Sequence, residues 1–144
     1  MFFTAKPTMR ISPLILIVDD NPVFVDRVIR MLEESGTANQ FNVASDYEEA
    51  LKFIRMEKHQ LALLDINLPG KSGIELLKAL KNSGNNIEVI MLSNHTDPHF
   101  KSRCLALGAN SFLDKTEEIS QLPALIESMQ LQNEHYENRL ERDH

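Results

Sequence analysis

Three carboxylates stand at the ends of two apolar runs. Asp19 and Asp20 follow Leu14-Ile15-Leu16-Ile17-Val18, and Asp65 follows Leu61-Ala62-Leu63-Leu64. Runs of this kind read as buried parallel strands. The last residue of such a strand lies at the carboxyl edge of its sheet, where ligands of open α/β folds bind. If the two strands are neighbours, the carboxylates converge on one pocket and raise each other's pKa. A divalent cation with oxygen ligands would relieve that repulsion. Two more groups close later apolar runs: Ser93 after Ile87 to Leu92, and Lys115 after Ser111-Phe112-Leu113-Asp114. Together these are acids that can hold Mg²⁺, an ammonium that can neutralise phosphoryl oxygens, and a hydroxyl that can donate to one of them. A carboxylate can itself be the nucleophile. Phosphoryl transfer needs mostly positioning and charge neutralisation, and this set supplies both.

The elements that must position these groups alternate in type. Asn21-Pro22 offers a cap and a proline for a helix carrying Val25, Val28, Ile29 and Leu32, which Ser35-Gly36 ends. Phe41 to Ala44 is a short strand. Ser45-Asp46-Tyr47-Glu48 reads as a capping box opening a helix with Ala50, Leu51 and Ile54 on one face. After the Asp65 strand, Asn67-Leu68-Pro69-Gly70-Lys71 is turn chemistry. Ser72-Gly73-Ile74-Glu75 is a second capping box. Asp97-Pro98 starts a further helix that Gly108 stops, and a last helix begins near Pro123 and extends to about Arg139. The order is βα repeated, which predicts an α/β fold with a parallel sheet covered by helices on both faces.

Composition narrows the function. The chain has 144 residues, 42% apolar and 25% charged, enough for one domain with a full core. Its formal charge of −6 argues against non-specific nucleic-acid binding, which needs an excess of Lys and Arg. Cys104, the only cysteine, fits a reducing cytoplasm and reads as a small buried hydrophobe. No apolar run approaches the roughly 20 residues of a membrane span. Arg10 and the stretch Ile11 to Val18 run straight into Asp19 with no small-residue cleavage site, which excludes a signal peptide.

Four stretches, in order and each closing an expected strand, carry a family resemblance. They are Ile15 to Asn21, Leu61 to Gly73, Met91-Leu92-Ser93 and Phe112-Leu113-Asp114-Lys115. Over roughly residues 12–130 the chain resembles the receiver domain of bacterial two-component response regulators. The resemblance implies a single-domain (βα)5 flavodoxin-like, doubly wound sheet with strand order 2-1-3-4-5. It implies that Asp65 is the phosphoacceptor. Asp19, Asp20, Asp65 and the backbone carbonyl of Asn67 would hold Mg²⁺ or Mn²⁺. Lys115 would pair with the acceptor and then with phosphoryl oxygens. Ser93 and Phe112 would be the switch hydroxyl and the aromatic that turns inward after it. Asn67 and His95 would tune the lifetime of the phosphoryl group. The implied donor is a sensor histidine kinase or histidine phosphotransfer protein. An unidentified downstream protein would bind the surface of the fourth helix, fifth strand and fifth helix. Receivers commonly carry proline after the lysine, whereas Thr116 stands here. A cis bond at that place would cost a non-proline residue roughly 2.5–4 kcal/mol.

Residues 1–11 read as a flexible N-terminal arm and residues 131–144 as an extension of the last helix with a charged tail. This looks like a stand-alone, chemotaxis-regulator-like receiver acting through partners. Leu122, Ile126, Met129, Asn133, Tyr136 and Leu140 form a heptad-like seam, which fits either a solvated terminus or a homodimer or partner contact. Two rival classes remain open on the residues alone. A small aspartate-nucleophile phosphatase usually has a second Asp two residues on as general acid, where Asn67 stands here. A phosphorylation-independent scaffold typically lacks one of the site residues.

Overall fold

The computed structural model describes residues 12–84, 86–94 and 97–129. The expected N-terminal arm, the tail beyond residue 130 with the outer half of the seam, and His95 lie outside the described residues. The chain runs β1 (Leu14–Val18), α1 (Pro22–Glu34), β2 (Gln40–Ala44), α2 (Tyr47–Met56), β3 (Leu61–Asp65), α3 (Gly73–Asn82), β4 (Glu88–Ser93), α4 (Pro98–Ala106) and β5 (Ser111–Asp114). A 3-10 turn, Ile119–Gln121, then leads into a helix, α5, described over residues 122–129. The five strands are parallel in the order β2-β1-β3-β4-β5, the flavodoxin-like arrangement.

The pleat sorts the core into two layers. Successive strand side chains point to opposite faces. Ile15, Ile17, Leu61, Leu63, Ile90, Leu92 and Leu113 pack with Val25, Val28 and Leu32 of α1 and Leu122 and Ile126 of α5. Leu16, Val18, Ala62, Leu64, Val89, Met91 and Phe112 pack with Ala50 of α2, Leu76, Leu77 and Leu80 of α3 and Cys104 of α4. Both faces of the sheet are therefore dry, which explains why its strands read as unbroken apolar runs rather than alternating ones.

Helix starts follow local chemistry. Asn21 accepts from the backbone N–H groups of Val23 and Phe24, Ser72 from that of Glu75, and Asp97 from that of His99. Each such cap is worth about 1 kcal/mol. One start differs from the sequence reading. Asp46, not Ser45, caps α2, accepting from the Glu49 N–H at 2.9 Å. Asp is as good a cap as Ser. Starting one residue later still leaves Ala50 buried and Leu51 and Ile54 against the core. At the other end of α4, Gly108 takes φ +106°, a left-handed conformation that ends the helix as expected.

The end of the sheet opposite the acidic residues holds an enclosed histidine. His59 Nε2 meets the Asn42 amide at 2.9 Å, and Nδ1 lies 3.2 Å from the Glu57 carbonyl. An Nδ1–H tautomer satisfies both, since the Asn42 amide nitrogen donates to Nε2. Burial holds the His59 pKa below its ordinary value of 6.5, against the opposing pull of Glu57. The unfolded chain then binds more protons than the folded one just below that value, so stability is complete above about pH 6.5 and falls as the pH drops through it. Urea unfolding across that range should show this loss, and His59→Gln should flatten it.

Candidate functional site

The strand order turns the β1 and β3 ends into a crevice. β1 connects outward to β2 and the chain returns to β3 on its other side, so the carboxyl edges of β1 and β3 flank the topological switch point. Pairing continues one residue beyond several strands. The Asp19 N–H donates to the Ala44 carbonyl at 3.0 Å, Ile66 N–H to Leu92 at 3.1 Å and Lys115 N–H to Ser93 at 2.8 Å. The residues that carry chemistry are thereby held as rigidly as the strands they follow.

Asp19, Asp20 and Asp65 meet there. One carboxylate oxygen from each lies within 4.8 Å of the others, with Asp19 and Asp65 buried and Asp20 exposed. Lys115 arrives from β5, two strands away from β3. Its Nζ donates to Asp19 Oδ2 and lies 3.4 Å from Asp65 Oδ2. The ammonium also sits 4.3 Å from the centre of the Phe24 ring, a cation–π contact from the first turn of α1. Asp19 Oδ1 accepts from the Asn21 N–H at 2.9 Å, and Asp65 Oδ1 from the Asn67 N–H at 3.2 Å.

Charge does not balance. One ammonium faces three carboxylates, which leaves two negative charges in a small volume. Burial is the main cause that pushes the Asp65 pKa up, and Asp19 adds a smaller rise, while Lys115 and the Asn67 N–H pull the other way. A divalent oxygen-seeking cation matches both the donor atoms and the charge deficit, so the residues fit Mg²⁺.

The remaining expected site residues sit nearby or inside the core. Ser93 is buried at the end of β4, in register with Asp114. Phe112 pairs with Met91 and is 6% exposed, so its ring already occupies an inward position. Asn67 is exposed on the β3–α3 loop.

Three contributors were not legible as such in the sequence. Phe24 lies four residues before Val28 on the buried face of α1, and that spacing signals burial without revealing that a lysine stacks on it. Asp114 is buried and caps the turn after β5. Gly73 reads as part of a capping box, but its special property is contact. A Cβ there would fall 2.0 Å from the Asp65 backbone carbonyl oxygen. Its N–H donates to the Ile66 carbonyl at 2.9 Å, which draws the start of α3 against the end of β3.

Comparison with known proteins agrees with this geometry. Residues 15–127 match the response regulator receiver domain, and the chain belongs to that family. NarL of Mycobacterium tuberculosis is 33% identical over 101 residues, 70% of this chain and 47% of NarL. The solved NarL receiver domain superposes with a TM-score of 0.76 at 28% identity, covering 83% of this chain and 96% of that domain. The two-component response regulator PhoP of Pseudomonas aeruginosa is 28% identical over 115 residues, 80% of this chain and 50% of PhoP. A CheY-like receiver domain protein from Methanospirillum hungatei gives a TM-score of 0.76 at 28% identity, covering 88% of this chain and 98% of that one. The chain spans about half the length of the curated relatives it matches. Receiver domains are regulatory modules, and among the described residues no helix is long and apolar enough to cross a membrane.

Two outcomes follow for the site. Gly73→Ala must displace backbone rather than a flexible side chain, so it should destabilise by about 1–3 kcal/mol and weaken Mg²⁺ binding; chemical denaturation and a metal titration measure both. Because the folded-state pKa of Asp65 is raised, ionising it costs stability as the pH rises from its usual 3.8 upward. At neutral pH without metal, Asp65→Asn should therefore raise the melting temperature by roughly a few degrees. Mg²⁺ at about a hundred times its Kd should add about 2.7 kcal/mol to the wild-type protein and much less to the variant.

Proposed function

We propose that this domain is a phosphoacceptor signalling switch in which Asp65 takes a phosphoryl group from a phosphohistidine. The donor is a sensor histidine kinase or a histidine phosphotransfer protein. The observation that carries the reading is the convergence of three carboxylates within 4.8 Å, with the Lys115 ammonium 3.4 Å from Asp65. An Asp65 carboxylate oxygen forms the new bond to phosphorus as the phosphorus–nitrogen bond of the donor breaks, and the imidazole keeps the electron pair. Asp19, Asp20 and Asp65, with the Asn67 backbone carbonyl, would hold Mg²⁺ or Mn²⁺. When bound, the metal neutralises charge on the phosphoryl oxygens.

Lys115 can shift from the carboxylates toward those oxygens, because its four-carbon stem is flexible. Ser93 supplies a hydrogen bond to the phosphoryl group. Phe112 packs on the same pleat face as Met91, beside Ser93, so the acyl phosphate would stabilise the inward ring position over other positions. That is a population shift in a two-state element.

The change is read on the surface of α4, β5 and α5. α4 supports this, since Cys104 is its single buried side chain while Phe100 and Leu105 stay exposed. Asn67 and His95 would set the lifetime of the acyl phosphate, which would be lost by intrinsic autodephosphorylation in a domain that is regulatory rather than an enzyme. A downstream protein, rather than nucleic acid or membrane, would bind this acidic chain in the cytoplasm. A homodimer through the tail is the reading that rests on the sequence seam alone.

Acetyl phosphate with Mg²⁺ should convert the wild-type protein to an aspartyl phosphate detectable by intact mass. Asp65→Asn should remain unmodified, and modification of that variant at wild-type yield would take Asp65 out of the role.

A further inference from the structure

One buried acid lies outside the cation cluster and has no place in the phosphoryl chemistry. Asp114 is 4% exposed, yet the carboxylates that gather at the site are those of Asp19, Asp20 and Asp65. Its Oδ1 accepts two backbone N–H groups, from Thr116 at 2.7 Å and from Glu117 at 2.8 Å. Its own N–H donates to Glu118 Oε1 at 3.0 Å, and its carbonyl accepts from the Glu118 N–H at 3.0 Å. Asp114 and Glu118 thus cap each other across the turn that contains Lys115. On the upstream side, the Lys115 N–H is tied to the Ser93 carbonyl at 2.8 Å.

We propose that Asp114, closed by Glu118, is the positioning residue that aims Lys115 at the Asp19 and Asp65 carboxylates. The inference rests on the reading of Asp65 as phosphoacceptor. A lysine ammonium rides on four flexible carbons, so its reach is set by where its backbone points. Lys115 has the Phe24 ring beside its head, but its main chain is fixed by the hydrogen bonds on either side of it. The two downstream bonds have the Asp114 carboxylate as acceptor. Charge-assisted bonds of this type are roughly twice as strong as neutral ones. The arrangement also requires an N–H at position 116. Thr116 supplies it, and a proline would remove one of the two donors that Asp114 Oδ1 engages.

Asp114→Ala removes the acceptor, and Asp114→Asn keeps it without the charge. A lysine released from the carboxylates has two effects of opposite sign. Phosphorylation by acetyl phosphate should slow roughly tenfold or more, because misplacement of a charge-neutralising group is costly. Mg²⁺ alone should bind more tightly, by roughly twofold or more, because the competing ammonium has withdrawn from Asp19 and Asp65. A variant that merely loosened the fold would lose both. Amide NMR during a Mg²⁺ titration reads the affinity, and circular dichroism confirms that each variant is folded.

The expected result is slower phosphorylation with tighter Mg²⁺ binding in Asp114→Ala, and restoration of both toward wild type in Asp114→Asn. Weaker Mg²⁺ binding in Asp114→Ala, wild-type behaviour in that variant, or failure of Asp114→Asn to restore it would each overturn the proposal. If the wild-type protein takes no phosphoryl group at all, the reading of Asp65 falls. The Mg²⁺ comparison between wild type and Asp114→Ala then still judges Asp114 as the group that places Lys115.

Discussion

The burial of carboxylates at the carboxyl edge of the sheet is the constraint around which this molecule is built. Two buried carboxylates and one exposed one share a crevice, and a single buried lysine opposes them. Removing a charge from water is expensive unless a partner and hydrogen bonds replace the lost solvent. Here the replacement is partial. Asp19 has Lys115 and the Asn21 N–H, whereas Asp65 has a longer approach to Lys115 and one N–H. The raised pKa of Asp65 is the consequence. A site so incompletely neutralised by its own lysine suits a divalent oxygen-seeking cation.

The rest of the fold holds that tension in place. Strands dry on both faces supply rigidity; Asp65 and Ser93 are the last members of their strands, and Asp19 and Lys115 are each linked to a neighbouring strand by one more hydrogen bond. Gly73 allows α3 to begin against the Asp65 carbonyl, so the end of β3 is held by the next element as well as by its neighbours. Phe24 contributes from the opposite layer, giving the Lys115 ammonium an aromatic face in a region with little water. Function-bearing strain of this kind is expected where a sequence departs from what stability alone would choose.

The two layers divide the labour. By pleat parity, Asp19, Asp65 and Lys115 continue the rows that face α1 and α5, while Ser93 and Phe112 continue the rows that face α2, α3 and α4. The charged cluster and the hydroxyl–aromatic pair thus approach the same edge from opposite sides of the sheet. α4 lies over the second side with a single buried side chain.

The linear sequence was enough to determine the element order, the parallel sheet and the identity of the groups at its edge. Apolar runs too short for helices, each closed by a polar residue, admit little else, and α1, α3 and α4 start at the local caps Asn21, Ser72 and Asp97 that the sequence displays. The cap of α2 was misplaced by one residue because Ser45 and Asp46 satisfy the same local rule, and only packing chooses between them. Tertiary structure alone decided what the groups touch. That Lys115 favours Asp19 over Asp65 and that it rests on Phe24 depend on distances between segments far apart in the chain, whereas the Gly73 contact and the Asp114 turn are local geometry that residue types alone do not display. Residue types carry charge and hydrogen-bonding capacity wherever they stand, but pair energies fall with separation and rise with burial, and both are properties of the folded chain.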